Sequence, residues 1–497
     1  MGSAAVSHHA HHCFLQSSST TMALTHLPNE LLENIIIHVL PEGFESLALT
    51  CKKIHALCTP FIEHHNRLRS HFQNFTYYDK TNEPSFTIRS AFNLIAHIAV
   101  EPVVARYIQE ADFMVDSRFT RGIPREMVTD VHRDEAVVRL LADSSYLKEA
   151  GLDWKKYYAA IEEDLNAARY SQHAAAFLLT LLPNVKVLTL PIYWKPVDAA
   201  DKLIDAVIRR ARQLHLPYDR PSIAQVTRFG PSVLLGARER FDLDWATPFL
   251  ALPHVRSFRG PSCVAIGDGH GSIASRYPHR GFKEALETVH LVSSCIDEVA
   301  IADFLKHTPC LKTLRYSHST KENCGPQDWD LCRFVTAIER EVGSHLVELS
   351  VSIRELRGSL APGKASMRGF QRLQKLEFPL EIAMCNLTAA ASTDHELDYS
   401  ESFIGDLIPT SVSQLSLISR GTDHHEKALD VMFRDFAAKK DSLVPGLKEI
   451  YLSCPAGADD AYKEQCAMLA AETEKVGMVL RLKAWPSSST LPWDGEQ

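Results

Sequence analysis

The 497-residue chain has no run of 18 consecutive apolar residues, so no stretch is long and apolar enough to read as a membrane-spanning helix. It also lacks an excess of positive charge. Lysine and arginine number 53 against 61 aspartates and glutamates, a formal net charge of −8, which argues against a protein built to grip nucleic acid. The 11 cysteines include no C-x-x-C pair, so thioredoxin-like and zinc-ribbon sites lack their spacing. Their scatter and odd number fit reduced thiols in the cytoplasm or nucleus. A phosphate-binding loop is missing too: Gly267-Asp268-Gly269-His270-Gly271 has neither the Gly-Lys-Ser/Thr of a P-loop nor G-x-G-x-x-G spacing, and reads as an insertion between structural units. No local arrangement of serine, cysteine, histidine and aspartate singles out a nucleophile. The expectation is a protein that is not an enzyme, with no cofactor and no metal. The cluster of His8, His9, His11, His12 and Cys13 reads as a histidine-rich tail.

What is present begins with a tail. Residues 1–22 are rich in serine, threonine, alanine and histidine and read as disordered, as does 486–497. From Pro28, apolar residues at 28, 31, 32, 35, 36, 39 and 40 give the spacing of an amphipathic helix ended by Pro41 and Gly43. A second apolar segment runs from Phe44 to Cys58. Pro60 should break it, with Phe61-Ile62 opening a third short helix. Residues 71–181 read as a helical linker region, with helices over Ala91–Val100, Asp134–Ala142 and Trp154–Leu182.

From residue 182 an apolar-x-x-apolar-x-apolar hexad recurs, starting at Val185, Leu286, Leu311, Leu346, Leu373, Val412 and Leu447, with an imperfect copy at Val255 and a degenerate one at Ile223. Single matches decide nothing in a chain that is 45% hydrophobic. Register decides more. Pro183, Pro253, Pro309 and Pro445 each stand two residues before the first apolar position, where proline ends a helix and feeds an extended segment. Units of a helix plus a short strand are the signature of a solenoid, predicted over 182–485 with a mainly parallel sheet. The fold class is therefore mixed α/β. The residue after the second apolar position of each copy falls on the opposite sheet face from the hexad. This predicts a ladder of Thr189, Arg259, His290, Arg315, Ser350, Glu377, Ser416 and Tyr451, with Glu348 in the neighbouring row, basic in its first half and more acidic in its second.

Leu27-Pro28-Asn29-Glu30-Leu31-Leu32-Glu33-Asn34-Ile35-Ile36, followed by Leu47-Ala48-Leu49-Thr50-Cys51-Lys52-Lys53-Ile54, resembles an F-box, here bounded at 23–70. The layout is most similar to F-box proteins of filamentous fungi with a degenerate leucine-rich-repeat-like C-terminal region. The resemblance implies a three-helix cluster that binds the Skp adaptor, and through it a cullin ubiquitin ligase, by way of Leu27, Pro28, Leu31, Leu32, Ile35, Leu47, Leu49, Cys51 and Ile54. Ile54 stands where Trp or Phe is common in the family. The implied function is a substrate-recognition subunit, its protein substrate held on Arg259, His290, Arg315, Glu348, Glu377 and Tyr451. Two alternatives stay open: an adaptor-binding scaffold whose partner is not degraded, and an enzyme within 86–300.

Overall fold

The computed structural model describes residues 24–77, 88–116, 131–213, 220–232, 240–266, 284–322, 328–391, 403–421 and 424–484. The two expected tails, the histidine cluster and the Gly267–Gly271 loop lie outside them. The chain divides into two compact units, one ending at Ser70 and the other beginning at His71.

The first unit is helical. Asn29–Val39 forms the expected amphipathic helix, with Pro28 at its N-terminal boundary, Glu30 in the first turn and Leu32 and Ile36 buried. A short helix, Phe44–Ala48, follows. The third departs from expectation. Lys52–Phe72 is one unbroken helix of 21 residues with Pro60 inside it. Ile54, Cys58, His65 and Leu68 are all buried and fall at intervals of three, four and seven residues, so a core stripe runs past the proline on both sides. Burial of that stripe offsets the backbone hydrogen bond that Pro60 cannot make. Phe44 packs on His65 with ring centroids 4.6 Å apart, and Arg69 pairs with Glu45.

The second unit is built on a 14-stranded sheet. Its main path runs in chain order through β1 (Asn74–Thr76), β2 (Glu110–Asp112), β3 (Val187–Thr189), β4 (Arg228–Gly230), β6 (Ser257–Pro261), β8 (Thr288–Ile296), β9 (Thr313–Ser319), β10 (Glu348–Glu355), β11 (Lys375–Pro379), β12 (Gln414–Ile418), β13 (Glu449–Ser453) and β14 (Val479–Lys483). Two short strands, β5 (Phe241–Asp242) and β7 (Cys263–Ala265), pair off this path, β7 joining the far end of β8. Every pairing between these strands is parallel. Parallel neighbours need a crossover, and from β8 onward it is a helix between most successive strands, such as Glu298–Leu305, Leu331–Val342 and Glu381–Ala391.

The hexad explains the stack. Its first position (Val185, Val255, Leu286, Leu311, Leu346, Leu373, Val412, Leu447) is buried in every copy, and so is the second. The second positions pair in register, Phe258 with Val289, Val289 with Leu314 and onward to Leu415 with Ile450, giving one apolar layer across the sheet.

Two boundaries need correction. The sheet starts at Asn74, not after residue 182, and the segment expected as a helical linker contributes β1 and β2 to the same unit. The helices predicted there do form, as Ala91–Val100, Val131–Asp143, Trp154–Asn166 and Gln172–Leu178. The fourth strand is also displaced from the expected copy at Ile223. Phe229, not Val226, occupies the row of Leu188 and Phe258.

Candidate functional site

The face of the sheet opposite the apolar layer carries the ladder. Arg259 pairs in register with His290, His290 with Arg315, Arg315 with Ser350, Ser350 with Glu377, Glu377 with Ser416 and Ser416 with Tyr451. The row also extends past both predicted ends, from Thr189 on to Asp112 and Thr76 on one side and from Tyr451 to Arg481 on the other. Gly230 interrupts it. A Cβ there would stand 2.1 Å from the carbonyl oxygen of Arg259, so the close approach of β4 to β6 admits only glycine.

Cross-strand bonds wire the row together. Arg315 Nε donates to Glu348 Oε1 at 2.7 Å, and its Nη2 lies 2.6 Å from the same oxygen. Glu377 accepts from Ser350 Oγ at 2.6 Å and from Ser416 Oγ at 2.9 Å, so neutral donors hold its carboxylate. Tyr451 donates to Glu449 at 2.9 Å, and Lys483 Nζ sits 4.0 Å from the centroid of the Tyr451 ring. Burial, with Arg315 and Arg259 on either side, pushes His290 down to about 4, which makes the imidazole neutral at pH 7 despite the opposing pull of Glu348.

The predicted charge pattern is therefore altered. The boundary between its halves is an ion pair, Arg315 with Glu348, and the far end turns basic again at Arg481 and Lys483. All six residues predicted to hold a substrate lie on this face. Arg259, His290, Arg315, Glu377 and Tyr451 share one row, and Glu348 stands two residues before Ser350 on the same strand.

The nine residues of the first unit divide by exposure. Leu31 is 50% exposed and Leu49 82%, and Pro28 is exposed. Leu27, Ile35, Leu47 and Cys51 are half-buried. Leu32 and Ile54 are each 2% exposed, so the structure removes them from any contact surface. They hold the unit together. Lys53 Nζ donates to the carbonyl of Leu27 at 3.3 Å, bringing the start of the long helix to the start of the first. Exposed Leu24 and Ile37 were not anticipated. Leu24 lies before the recognisable motif, and Ile37 reads as one more apolar residue in a run of three.

A third cluster sits where β8 and β9 end. The Tyr316 hydroxyl accepts from Ile296 N–H at 3.1 Å and lies 2.9 Å from His318 Nδ1. His318 stacks on Trp329 with centroids 4.0 Å apart, and Lys321 Nζ donates to Ser262 Oγ at 3.2 Å. His318 and Lys321 are 3% and 2% exposed, and burial drives His318 down to about 3. Closed to solvent, the cluster braces the ends of these strands and offers no surface to a substrate. Among the described residues no group of three or more metal-ligating side chains converges, and no helix is long and apolar enough to cross a membrane.

The fold and this face define a mixed α/β protein on a long parallel sheet. No family model matches the chain, and no curated protein matches it.

Proposed function

We propose that this protein is a substrate receptor of a Skp–cullin–F-box ubiquitin ligase, with the helical unit binding the adaptor and the ladder holding a protein substrate. The observation that carries the reading is the exposure of Leu31 and Leu49, two large apolar side chains presented to solvent within a unit of fewer than 50 described residues. A cluster of this size has little core of its own, and such exposed leucines mark a surface completed by a partner. The ladder supports the second half of the reading, because polar rows on repeat-protein sheets suit extended recognition.

Affinity purification of the full chain and of Leu31→Asp, compared by mass spectrometry, tests the adaptor half. The substitution should remove the Skp adaptor and cullin from the captured set, since a carboxylate in a desolvated apolar contact costs several kcal/mol. Unchanged capture would sink it. Joint reversal of Arg259 and Arg315 to glutamate should reduce substrate capture while leaving the adaptor bound. A captured partner that does not accumulate when the receptor is deleted would make the protein a scaffold.

A further inference from the structure

We infer that the open edge of β14 accepts an added strand from a partner protein, an extended segment that is acidic on one face and apolar on the other. β14 has β13 as its one strand neighbour among the described residues. The main chain shows which groups face the other way. Val479 N–H donates to the Lys448 carbonyl at 3.3 Å, and the Lys483 carbonyl accepts from Cys454 N–H at 2.9 Å. Residues 479, 481 and 483 therefore turn their main-chain groups toward β13. Along a strand these groups alternate between the two edges, so the N–H and C=O of Leu480 and Leu482 point away from β13. Such a row is the template on which an extended peptide adds by main-chain hydrogen bonds.

The two faces of β14 select the occupant. Leu480 and Leu482 continue the apolar layer, in register with Ile450 and Leu452. Those two are buried, whereas Leu482 is 53% exposed and Leu480 half-buried. The layer thus runs one strand further than its cover, and apolar side chains on an added strand would extend over it. The opposite face carries Arg481 and Lys483, both exposed. They lie over the Tyr451 ring, 5.9 and 4.0 Å from its centroid, and neither forms an ion pair among the described residues. Side chains two apart on a strand share a face, so acidic residues alternating with apolar ones would match both faces at once. The same cations count against a second copy of this chain. Antiparallel pairing of two β14 strands centred on Arg481 would set the two Arg481 side chains opposite each other, a like-charge pair. An acidic strand turns that repulsion into attraction.

The site does not rest on the ligase reading, and its test does not involve the adaptor. Full-length protein is titrated into the fluorescein-labelled peptide Ser-Glu-Ile-Glu-Val-Glu-Ser and followed by fluorescence polarisation. Saturable binding is expected. N-methylation of one alternate set of peptide amides should abolish it and of the other set should not, because only one edge of the peptide faces β14. Leu482→Pro removes an edge-facing donor without breaking a bond to β13. It should weaken binding about ten-fold, with amide protection in β13 unchanged. Arg481→Glu combined with Lys483→Glu should transfer the preference to the peptide with lysine in place of glutamate. In the unliganded full chain, hydrogen exchange at Leu480 and Leu482 should be fast. Slow exchange there at every protein concentration would assign the edge to another segment of this chain, and protection that grows with concentration would assign it to a second copy. Either result would overturn the proposal, as would no saturable binding, or binding indifferent to Leu482→Pro or to the charge reversal.

Discussion

Leu31 and Leu32 adjoin in sequence and differ in every consequence that follows from burial. The first is half exposed, the second 2% exposed. Leu31→Asp should leave folding stability within about 0.5 kcal/mol of the parent, because it alters a solvated position. Leu32→Ala should cost about 2–5 kcal/mol, the usual range for emptying a buried leucine site. Chemical denaturation of both variants checks the contrast, and a large loss with Leu31→Asp would show that its side chain is part of the core. The motif that names these positions cannot separate them. Exposure depends on the helices packed around each residue, and only the structure supplies that.

Two histidines tie stability to pH. His290 and His318 are pushed by burial down to about 4 and about 3, against 6.5 for the unperturbed side chain. Above pH 6.5 both are neutral in folded and unfolded chains, and their contribution does not change. Below it the unfolded chain takes up protons that the native protein refuses. Stability should therefore fall from about pH 6.5 toward pH 4, with the His318 contribution continuing to about pH 3. Carboxylates titrate over the lower part of this window, so the diagnostic quantity is the difference between the parent and His318→Phe. That difference should shrink as the pH drops. A constant offset across the range would contradict the assigned protonation state.

At the scale of elements, Pro60 marks where local rules lose to packing. A proline in a helix interior ordinarily kinks or ends it, yet the buried stripe of Ile54, Cys58, His65 and Leu68 carries the helix through. Pro60 is itself exposed. Replacing it with alanine restores a donor for the carbonyl of Ala56 and removes a poor helix former, so a gain of about 1–3 kcal/mol in helix stability is expected. Hydrogen exchange should show slower exchange at residues 57–64. Faster exchange would mean that the proline is held by something other than the helix.

The strands were legible where the hexad had large aliphatic residues at its key positions, from Leu286 to Leu452. The same pattern also stands at Phe72, Phe75 and Tyr77, and at Ile108, Ala111 and Phe113, all of them buried. These are the copies behind β1 and β2, and they escaped notice for physical reasons. The first overlaps the end of the long helix, whose stripe accounts for Phe72 equally well. The second follows the short helix Val104–Tyr107 and places a small alanine where the other copies have leucine, valine, isoleucine or phenylalanine.

Across the whole molecule, the second unit gains its stability from neighbour contacts, since each strand and helix covers the next. Damage should spread along the sheet and fade with distance. Leu349→Ala empties a buried site in the apolar layer between β9 and β11. It should cost about 2–5 kcal/mol and lower amide protection in those two strands more than in β3. Leu480→Ala, in the last strand, opens a half-buried site with one strand neighbour among the described residues and should cost less. Equal loss of protection over all strands would indicate one cooperative unit with no nearest-neighbour character.

The in-register stacking of parallel strands also sets a ruler. Adjacent rungs of the ladder are about 4.8 Å apart, so Arg259 and Arg315, separated by the His290 strand, stand about 9.6 Å apart. An extended β-strand laid across the rungs advances about 3.3 Å per residue and turns its side chains to alternate sides, so it cannot present the same face at that interval. A polyproline II helix repeats every three residues and about 9.3 Å, with residues i and i+3 on one side. Such a chain keeps step with every second rung. Acidic residues spaced three apart in a proline-rich segment would then meet Arg259 and Arg315 together, and the same residues spaced two or four apart would fall between rungs.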